Sequence, residues 1–266
     1  MRGKSYNILT KVLRSNVKIN ILETLSSNPL TRDEMIKILK LSKNTLRINL
    51  RELMELNLIE MRNDNRYIPT VKGRIITANF KNSIKNLATI EKFKNFFETH
   101  YIDAIPDEYL YKIGNLWECE LIVDTDEDLF RVYKNFLKIL EESVYIYGVA
   151  PILSEGYVES IYKTLKMKEE VNLVITRQVF DKLSKEYKKQ LENALTTNFS
   201  IRISKEDIKL GLTVTDKYLS FGLYTKDGKR YDPNVDLVGS SKEALSWGMG
   251  LFKYYWNRSI PLEEYL

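Results

Sequence analysis

Apolar side chains recur at helical spacing early in the chain. Val17, Ile21, Leu22 and Leu25 fall on one stripe, and the Ser-Ser-Asn-Pro run at residues 26–29 interrupts it. Side chains three and four residues apart share one face of a helix. The pattern therefore predicts a helix that buries a single stripe.

Sequence signals for N-terminal caps predict two more helices. Thr31 is followed three residues later by Glu34, as a capping box requires, and the helix it begins buries Met35, Ile36 and Leu39. After a tight turn, Ser42 caps a third helix. The buried face of this third helix carries Leu46, Leu50, Leu53 and Leu56.

A polar turn at residues 63–65 lies between two short apolar segments, residues 58–61 and residues 67–68. This arrangement predicts a β-hairpin, and Thr70 then opens another helix. Short helices, a tight turn, a longer helix and a hairpin follow each other in the order of a winged helix-turn-helix. We expect the third helix to enter the major groove of duplex DNA.

Strand and helix patterns alternate in the rest of the chain. Residues 84–97 form an amphipathic helix with Leu87, Ile90 and Phe93 on one side, and it could connect domains or pair in a dimer. Strands are predicted at residues 120–124, 144–148, 171–175 and 199–203, helices at 126–142, 157–165, 179–195 and 240–255, and adjacent antiparallel strands at 210–215 and 218–224.

These patterns predict a two-domain protein of mixed α+β and α/β class. Residues 1–82 form a winged helix DNA-binding domain and residues 83–104 a linker helix. Residues 105–266 form an α/β sensor or dimerisation domain with a central, partly mixed sheet.

Charge separates the two ends of the chain. Residues 1–82 hold 16 Lys and Arg against 7 Asp and Glu, a net charge of +9, whereas the rest carries −4. A basic end on a mildly acidic body is typical of a protein in which one part meets a polyanion.

Composition excludes several classes of protein. No apolar run is long enough to span a bilayer and no signal peptide is recognised, so we expect a cytoplasmic protein without membrane association. Cys119 is the only cysteine, which rules out an intrachain disulfide, and we expect it in the core. The only histidine, His100, is expected at a domain boundary rather than in catalysis.

The predicted DNA contacts lie on the third helix and the hairpin. Near the start of the helix, Asn pairs well with adenine and Arg with guanine, whereas a phosphate needs only positive charge. The candidates are Lys43, Asn44, Thr45, Arg47, Asn49 and Arg51 on the helix and Arg62, Arg66 and Tyr67 on the hairpin. A winged helix that contacts protein instead is the alternative.

Residues 41–59 resemble the winged helix domains of many bacterial and archaeal regulators. The usual Gly before the wing is Asn57 here, a residue that tolerates the left-handed conformation. The segments at residues 105–116, 210–217 and 236–241 resemble the C-terminal domain of archaeal regulators of the methanogenesis regulatory protein type. Sugar-sensing TrmB-type regulators are more distantly similar.

This resemblance implies a degenerate phospholipase D-like C-terminal domain without the activity. Anchored on Asp216, the phosphodiesterase signature needs His and Lys where this chain has Lys209 and Gly211. Gly239 and Ser240 match the downstream Gly-Ser of that signature, which packing could equally retain.

Other chemistry finds little support in the sequence. No phosphate-binding glycine loop is found, so no cofactor is predicted, and no metal site is predicted either. Acidic residues at positions 124–128 could hold a divalent cation, but a solvated helix N-terminus explains them better. A small-molecule site near the strand ends is hypothesised from Tyr145, Tyr147, Arg177, Lys217 and Trp247.

The sequence therefore predicts a transcription regulator that binds double-stranded DNA as a homodimer. Its C-terminal domain either senses a small-molecule effector or assembles the dimer. Two alternatives stay open: a phosphodiester or nucleic-acid enzyme that docks through the winged helix, and a protein-interaction module of the transcription machinery.

Overall fold

The computed structural model describes residues 2–265, and the chain divides into two compact units between Ile84 and Lys85. This boundary falls inside a long helix. Each unit has a hydrophobic core of its own. Among the described residues, every helix is too short or too polar to cross a membrane.

The first unit consists of helices followed by an antiparallel hairpin. Its elements are α1 (Arg2–Leu13), α2 (Asn16–Ser27), α3 (Arg32–Leu39), α4 (Lys43–Glu55), β1 (Ile59–Met61), β2 (Tyr67–Pro69) and the first part of α5 (Val71–Lys92). α2, α3, α4, the hairpin and the start of α5 lie where the sequence predicts them, whereas α1 is not predicted. Their buried side chains pack into one core, which includes Ile21, Leu22, Met35, Leu46, Leu50 and Leu53.

Side-chain caps begin α3 and α4, as the sequence predicts. Thr31 Oγ1 accepts the N–H of Glu34 at 3.4 Å, and Glu34 Oε2 accepts the N–H of Thr31 at 2.7 Å, so the predicted capping box of α3 is confirmed. At α4, Ser42 Oγ accepts the N–H of Thr45 at 3.1 Å. Because each cap satisfies an N–H that the helix leaves unpaired, it fixes the residue at which the helix starts.

Two helices that the spacing predicts separately form one continuous helix, α5. It begins after Thr70, which caps it, and runs to Lys92. At Phe93 the backbone leaves the helical region, and the short α6 (Lys94–Thr99) follows. Phe93 is only 3% exposed and packs in the core of the second unit. The expectation that Phe93 contacts another subunit is therefore wrong.

The second unit is built around a mixed sheet. Its remaining elements are α7 (Asp107–Leu110), β3 (Glu120–Val123), α8 (Arg131–Glu142), β4 (Tyr145–Ala150), α9 (Glu155–Thr164), β5 (Glu170–Ile175), α10 (Arg177–Glu186), α11 (Lys188–Leu195), β6 (Phe199–Ile203), β7 (Leu210–Thr215), β8 (Leu219–Leu223), β9 (Val235–Gly239), α12 (Lys242–Arg258), β10 (Ile260–Pro261) and α13 (Leu262–Tyr265), with short 3-10 turns at Ile102–Ala104, Ile113–Leu116 and Leu165–Met167.

Within the part of the chain that the structure describes, eight strands join this sheet in the order β10-β6-β5-β4-β7-β8-β9-β3. Strands β4, β5 and β6 are parallel, and the other neighbouring pairs are antiparallel. The predicted α/β character and partly mixed central sheet are confirmed. The predicted hairpin of β7 and β8 turns at Asp216 and Lys217, as expected.

Different helices cover the two faces of the sheet. On one face, apolar side chains of β7 and β8 pack with α12 in a core that includes Leu212, Val214, Phe221 and Trp247. On the other face, β4, β5 and β6 pack in a second core with side chains of α8, α9, α10 and α11. Because successive side chains of a strand point to opposite faces, the central strands β4 and β5 contribute to both cores.

Several elements of the second unit differ from the prediction. α8 begins at Arg131 rather than near residue 126, because the backbone groups of Thr125 and Asp128 bond to each other at 3.0 and 3.1 Å in a turn. The helix predicted over 179–195 is interrupted at Tyr187, whose ψ of 28° lies outside the helical range. The short strands β9 and β10 are not predicted as strands.

Candidate nucleic-acid interface and ligand cavity

The exposed face of α4 is basic, and its opposite face is buried. Leu46, Leu50 and Leu53 are at most 1% exposed in the core of the first unit. The side chains that remain exposed along α4 include Lys43, Asn44, Arg47 and Arg51. The 3.6-residue period thus separates a leucine stripe from a row of cations and an amide.

Local hydrogen bonds orient some of the polar side chains of α4. Arg47 Nη2 donates to Asn44 Oδ1 at 3.1 Å, so the two predicted base-reading side chains lie together. Asn49 Nδ2 instead donates to the carbonyl of Thr45 at 2.8 Å, and both residues are half-buried. Arg51 lies 3.6 Å from Glu55. Because this ion pair is exposed, Arg51 can readily exchange Glu55 for another anion.

An ion pair on the inner side of α4 holds this helix to α2. Lys18 Nζ lies 2.6 Å from Glu52 Oε2, and the Lys18 side chain is 10% exposed. The hydrogen bond from Lys18 holds the pKa of the Glu52 carboxyl below its ordinary value. The ion pair therefore helps to fix the position of α4 against α2.

The tip of the β1–β2 hairpin is exposed and carries Arg62. The turn closes with a hydrogen bond from Arg62 N–H to the carbonyl of Arg66 at 2.8 Å, and Asn65 takes a left-handed φ of 61°. Asn57, before the hairpin, also has a left-handed φ, of 55°. Asn57, which stands where winged helix domains usually have glycine, therefore adopts the left-handed backbone conformation that the position requires.

Arg66 is engaged inside the first unit. Its guanidinium donates to Glu34 at 3.1 and 3.3 Å and to the carbonyl of Pro29 at 2.9 Å. The pKa of Glu34 is lowered, mainly by its hydrogen bonds from Thr31 and further by Arg66. Arg66 thus ties the hairpin to the start of α3, which is a structural role that its sequence position does not reveal.

Tyr67 is 1% exposed, and its hydroxyl accepts a hydrogen bond from Arg32 Nε at 2.8 Å. A side chain buried to this degree cannot lie along a sugar-phosphate wall. The expectation for Tyr67 is therefore corrected: it faces inward because the alternation of side chains along β2 directs it to the core.

The structure does not bring together the five residues predicted for a ligand site. Tyr145 donates to Glu169 at 2.6 Å and Lys217 donates to the carbonyl of Glu142, at the end of the sheet where β4 begins. Arg177 is exposed beyond the opposite end, where β5 finishes.

The two remaining predicted ligand residues belong to the face covered by α12. Trp247 is 2% exposed and donates through Nε1 to the carbonyl of Tyr109 at 2.9 Å. The ring of Tyr147 packs against Phe252, with ring centroids 5.3 Å apart. These contacts complete the core and leave neither ring in a shared cavity with Arg177.

A cavity instead lies on the other face of the sheet, between the strands and helices α8 and α9. The side chains at its floor are small or polar, and those that close it are apolar or aromatic. The floor includes Gly148, Gly211, Thr213, Ser220 and Asp236, and the walls include Val132, Phe136, Tyr157, Ile161 and Tyr231. The cavity volume is about 90 Å³.

Asp236 is the acidic group of this cavity and is 7% exposed. Its Oδ2 accepts a hydrogen bond from Ser220 Oγ, the only partner that its carboxyl has among the described residues. Burial raises its pKa to about 7, although the Ser220 hydrogen bond opposes the rise. Among the described residues that line the cavity there is no Lys, Arg or His.

Two glycines place Tyr231 beside this carboxyl. Gly211 and Gly222 face each other across β7 and β8. A Cβ at Gly211 would lie 2.7 Å from Tyr231 Oη, and one at Gly222 would lie 3.0 Å from both Tyr231 Cζ and Asp236 Oδ1. Glycine at both positions therefore leaves room for the Tyr231 ring to lie against the sheet here.

A second, more apolar cavity adjoins the first one and shares part of its lining. Ala150, Ile152, Tyr157, Ile161 and Leu173 line both. The second cavity also has a volume of about 90 Å³ and continues between α9, α10 and α11. The two neighbouring cavities thus place a carboxyl in one and mainly aliphatic side chains in the other.

The alternation of residues along three strands is the one sequence feature that relates to the Asp236 cavity. Strands β7, β8 and β9 alternate large apolar residues with Gly211, Thr213, Ser220, Gly222 and Asp236, which are small or polar. Such alternation ordinarily indicates a face toward water. Here α8 and α9 cover that face, so the residues line a cavity, and the sequence alone does not distinguish the two cases.

The residues at the phospholipase signature positions have structural partners. Lys209 pairs with Asp207 at 2.7 Å, and Asp216 Oδ1 accepts the N–H of Val144 at 2.8 Å. A Cβ at Gly239 would lie 2.5 Å from Cys119 Sγ, so packing alone explains that glycine. Cys119 is buried, as expected, and burial raises the pKa of its thiol to about 12.

Asp124 and His100 also have local roles. Asp124 Oδ1 accepts the N–H of Val132 at 2.8 Å in the first turn of α8, as expected for acids near a helix start. His100 Nδ1 lies 2.8 Å from the carbonyl of Phe96, and its Nε2 lies 3.3 Å from Asp232.

Comparison with known proteins shows similarity to one family of regulators. The family model described as "Methanogenesis regulatory protein FilR1, middle domain" matches residues 129–258. The predicted resemblance to the methanogenesis regulatory protein type is thereby confirmed.

A particular relative is Methanogenesis regulatory protein FilR1 of Methanothrix harundinacea (strain 6Ac). It is 27% identical over 255 residues, which are 94% of this chain and 57% of the relative. The chain thus spans little more than half the length of that protein.

Two solved structures have weaker similarity. TrmBL2, described as an archaeal chromatin protein with a novel mode of DNA binding, aligns with 96% of this chain and 99% of its own at 14% identity and a TM-score of 0.43. Nuc from Salmonella typhimurium, a phospholipase D family member, aligns with 54% of this chain and 98% of its own at 12% identity and the same TM-score of 0.43.

Proposed function

We propose that this protein is a transcription regulator whose first unit is a winged helix that binds duplex DNA through α4. The observation that carries the proposal is the division of α4 into a buried leucine face and an exposed face with Lys43, Asn44, Arg47 and Arg51. An α-helix fits the major groove, and these side-chain types bind base edges and phosphates.

The charge of the two ends of the chain supports the same proposal. The net charge of +9 in residues 1–82 gives the first unit the excess of cations that phosphate binding requires. The matching family and the curated relative are both named for regulation, which fits a regulator rather than an enzyme. We accordingly assign no catalytic residue.

The contacts can be divided by chemistry. Arg47 and Asn44 lie together near the start of α4, where base edges come within reach, and we assign them base reading. Lys43, Arg51 and Arg62 are exposed cations suited to phosphates. Thr45 and Asn49 are half-buried and would contribute less, Arg66 would have to exchange its ion pair with Glu34 for one with a phosphate, and Tyr67 leaves the set.

The proposal extends to a homodimer that responds to an effector. A twofold pair of winged helices binds two half-sites and gains affinity without new contacts in each subunit. Leu87 and Ile90 on α5 are 64% and 41% exposed, an apolar surface that a second copy could cover. The cavity at Asp236 offers the effector a site.

Arg47→Ala tests the DNA interface. Removal of a base-reading arginine should weaken binding to a duplex selected from a random pool by about 1–3 kcal/mol and relax the base preference at one position. Fluorescence anisotropy at fixed salt, repeated on a panel of single-base variants of the duplex, measures both effects.

Lys185→Ala is the matched control, because Lys185 is an exposed cation on α10 of the second unit. It should leave affinity and base preference unchanged. Equal loss of affinity in both variants would indicate only unspecific attraction to DNA, and wild-type protein that selects no duplex would favour the protein-interaction alternative.

A further inference from the structure

We propose that the two adjoining cavities of the second unit open into each other and bind a small amphipathic cation, with its ammonium group at Asp236 and its apolar part between α9, α10 and α11. The biological purpose of this binding rests on the proposed function of an effector-responsive regulator. The binding itself is argued from the cavity.

The first step of the argument is the unbalanced charge at Asp236. A buried carboxylate is costly unless a cation or several hydrogen bonds compensate it. Ser220 supplies one hydrogen bond, and no cationic side chain lines either cavity where the structure describes them. A ligand with a positive charge would supply the missing partner.

Aromatic rings beside the carboxyl favour the same ligand charge. Tyr231 lies next to Asp236 in the cavity wall, and Tyr157 lines the cavity with its ring in edge contact with Phe136, at a centroid distance of 4.7 Å. The faces of aromatic rings attract cations, and quaternary ammonium groups are commonly held by such rings. An anionic ligand would be repelled by the carboxylate.

The adjoining cavity determines the other half of the ligand. Its lining is aliphatic and aromatic, with Leu165, Val179, Leu183 and Leu191 among the side chains. Burial of methylene groups there would tighten binding about fourfold for each group. A short alkyl or aromatic group attached to the ammonium therefore fits the space better than a sugar, which would leave its hydroxyl groups unpaired.

Calorimetric titration of the full chain at pH 8 with hexylammonium, hexan-1-ol and hexanoate tests the inference. Hexylammonium should bind with one site per chain, at least tenfold tighter than hexan-1-ol, and hexanoate should not bind. Asp236→Asn should weaken hexylammonium binding tenfold or more and leave hexan-1-ol unchanged. The control Asp126→Asn, an exposed acid outside the cavity, should bind as wild type does.

A second variant keeps the test informative if Asp236→Asn does not fold. Ala150 lines both cavities, so Ala150→Leu should narrow the space between them. It should weaken hexylammonium binding while butylammonium binding stays within a factor of about three. Equal binding of alcohol and cation, tighter binding of hexanoate, or no binding by wild type would each overturn the inference.

Titration of DNA with and without saturating hexylammonium separates this inference from the proposed function. A protein that binds the cation but selects no DNA retains the cavity assignment and loses the proposed function. A protein that selects DNA but binds no cation retains the function and loses the inference. A change in DNA affinity on cation binding would support both.

Discussion

Asp236 is the residue at which this fold departs most from ordinary packing. The residues on either side of it in β9, Val235 and Leu237, contribute to the apolar core under α12. Alternation then directs Asp236 to the opposite face, where α8 and α9 shield it from water. The raised pKa of its carboxyl, about 7, is the energetic consequence of this position.

Asp236→Asn should make the second unit more stable at neutral pH. The folded carboxyl has a pKa of about 7 against 3.8 in an unfolded chain, so the folded protein keeps a proton that the unfolded chain loses between pH 4 and 7. The free energy of unfolding therefore falls as pH rises through this window. Because asparagine does not titrate, the variant avoids this loss of unfolding free energy, which amounts to at most about 4 kcal/mol above pH 7.

Urea unfolding followed by tryptophan fluorescence from pH 4.5 to 8.5 measures the effect. Trp117, Trp247 and Trp256 all belong to the second unit, so the signal reports on that unit. The difference between variant and wild type should be smallest at pH 4.5 and largest above pH 7. A constant difference across the range would mean that Asp236 does not titrate as described.

Single residues also account for most of the errors in the sequence prediction. Tyr67, Arg66 and Phe93 have the residue types expected for surface contacts, yet Tyr67 and Phe93 are buried and Arg66 is paired with Glu34. The local sequence gives the residue type and its face. Whether another element covers that face depends on contacts between residues far apart in the chain.

The starts of α3 and α4 were predictable, because the signal for a side-chain cap is local. Thr31 with Glu34 and Ser42 before α4 bond in the structure as their spacing predicts. Strand β9 was missed for the opposite reason. Its five residues include an acid and a glycine, and it pairs with β8 across an intervening loop.

Thr31→Ala should destabilise the first unit by about 1 kcal/mol, since it removes the side-chain half of the α3 capping box. Thermal unfolding of helix by far-ultraviolet circular dichroism and hydrogen exchange of the α3 amides measure the loss. Tryptophan fluorescence should not report it at low denaturant, because the tryptophans belong to the other unit.

Thr24→Ala is the comparison for this change. Thr24 lies within α2, where its hydroxyl donates only to the carbonyl of Asn20. Alanine there should be neutral or slightly stabilising, because alanine has the higher helix propensity. If both alanine variants destabilised the protein equally, the capping box would not be what fixes the start of α3.

At the scale of the whole molecule, the uneven charge and the change of hydrophobic period were enough to predict two kinds of structure in one chain. The mixed sheet followed from alternating strands and helices, and strands β6 and β7 were predicted to the residue. The cavity could not be predicted, because its lining comes from β4, β7, β8, β9, α8 and α9. Only the pairing of these strands brings Ser220, Tyr231 and Asp236 together.

The predicted homodimer is tested by Leu87→Asp, which replaces the proposed contact at Phe93. Leu87 is 64% exposed on α5, so an aspartate there costs little in a single subunit but would be an unpaired charge in a dry contact between two. Light scattering should show monomers, and cooperative DNA binding should be lost while circular dichroism is unchanged. Leu129→Asp is the control, because Leu129 is 63% exposed outside α5 and should leave the dimer intact. Wild-type protein that is monomeric at micromolar concentration, or Leu87→Asp protein that stays dimeric, would contradict this assembly.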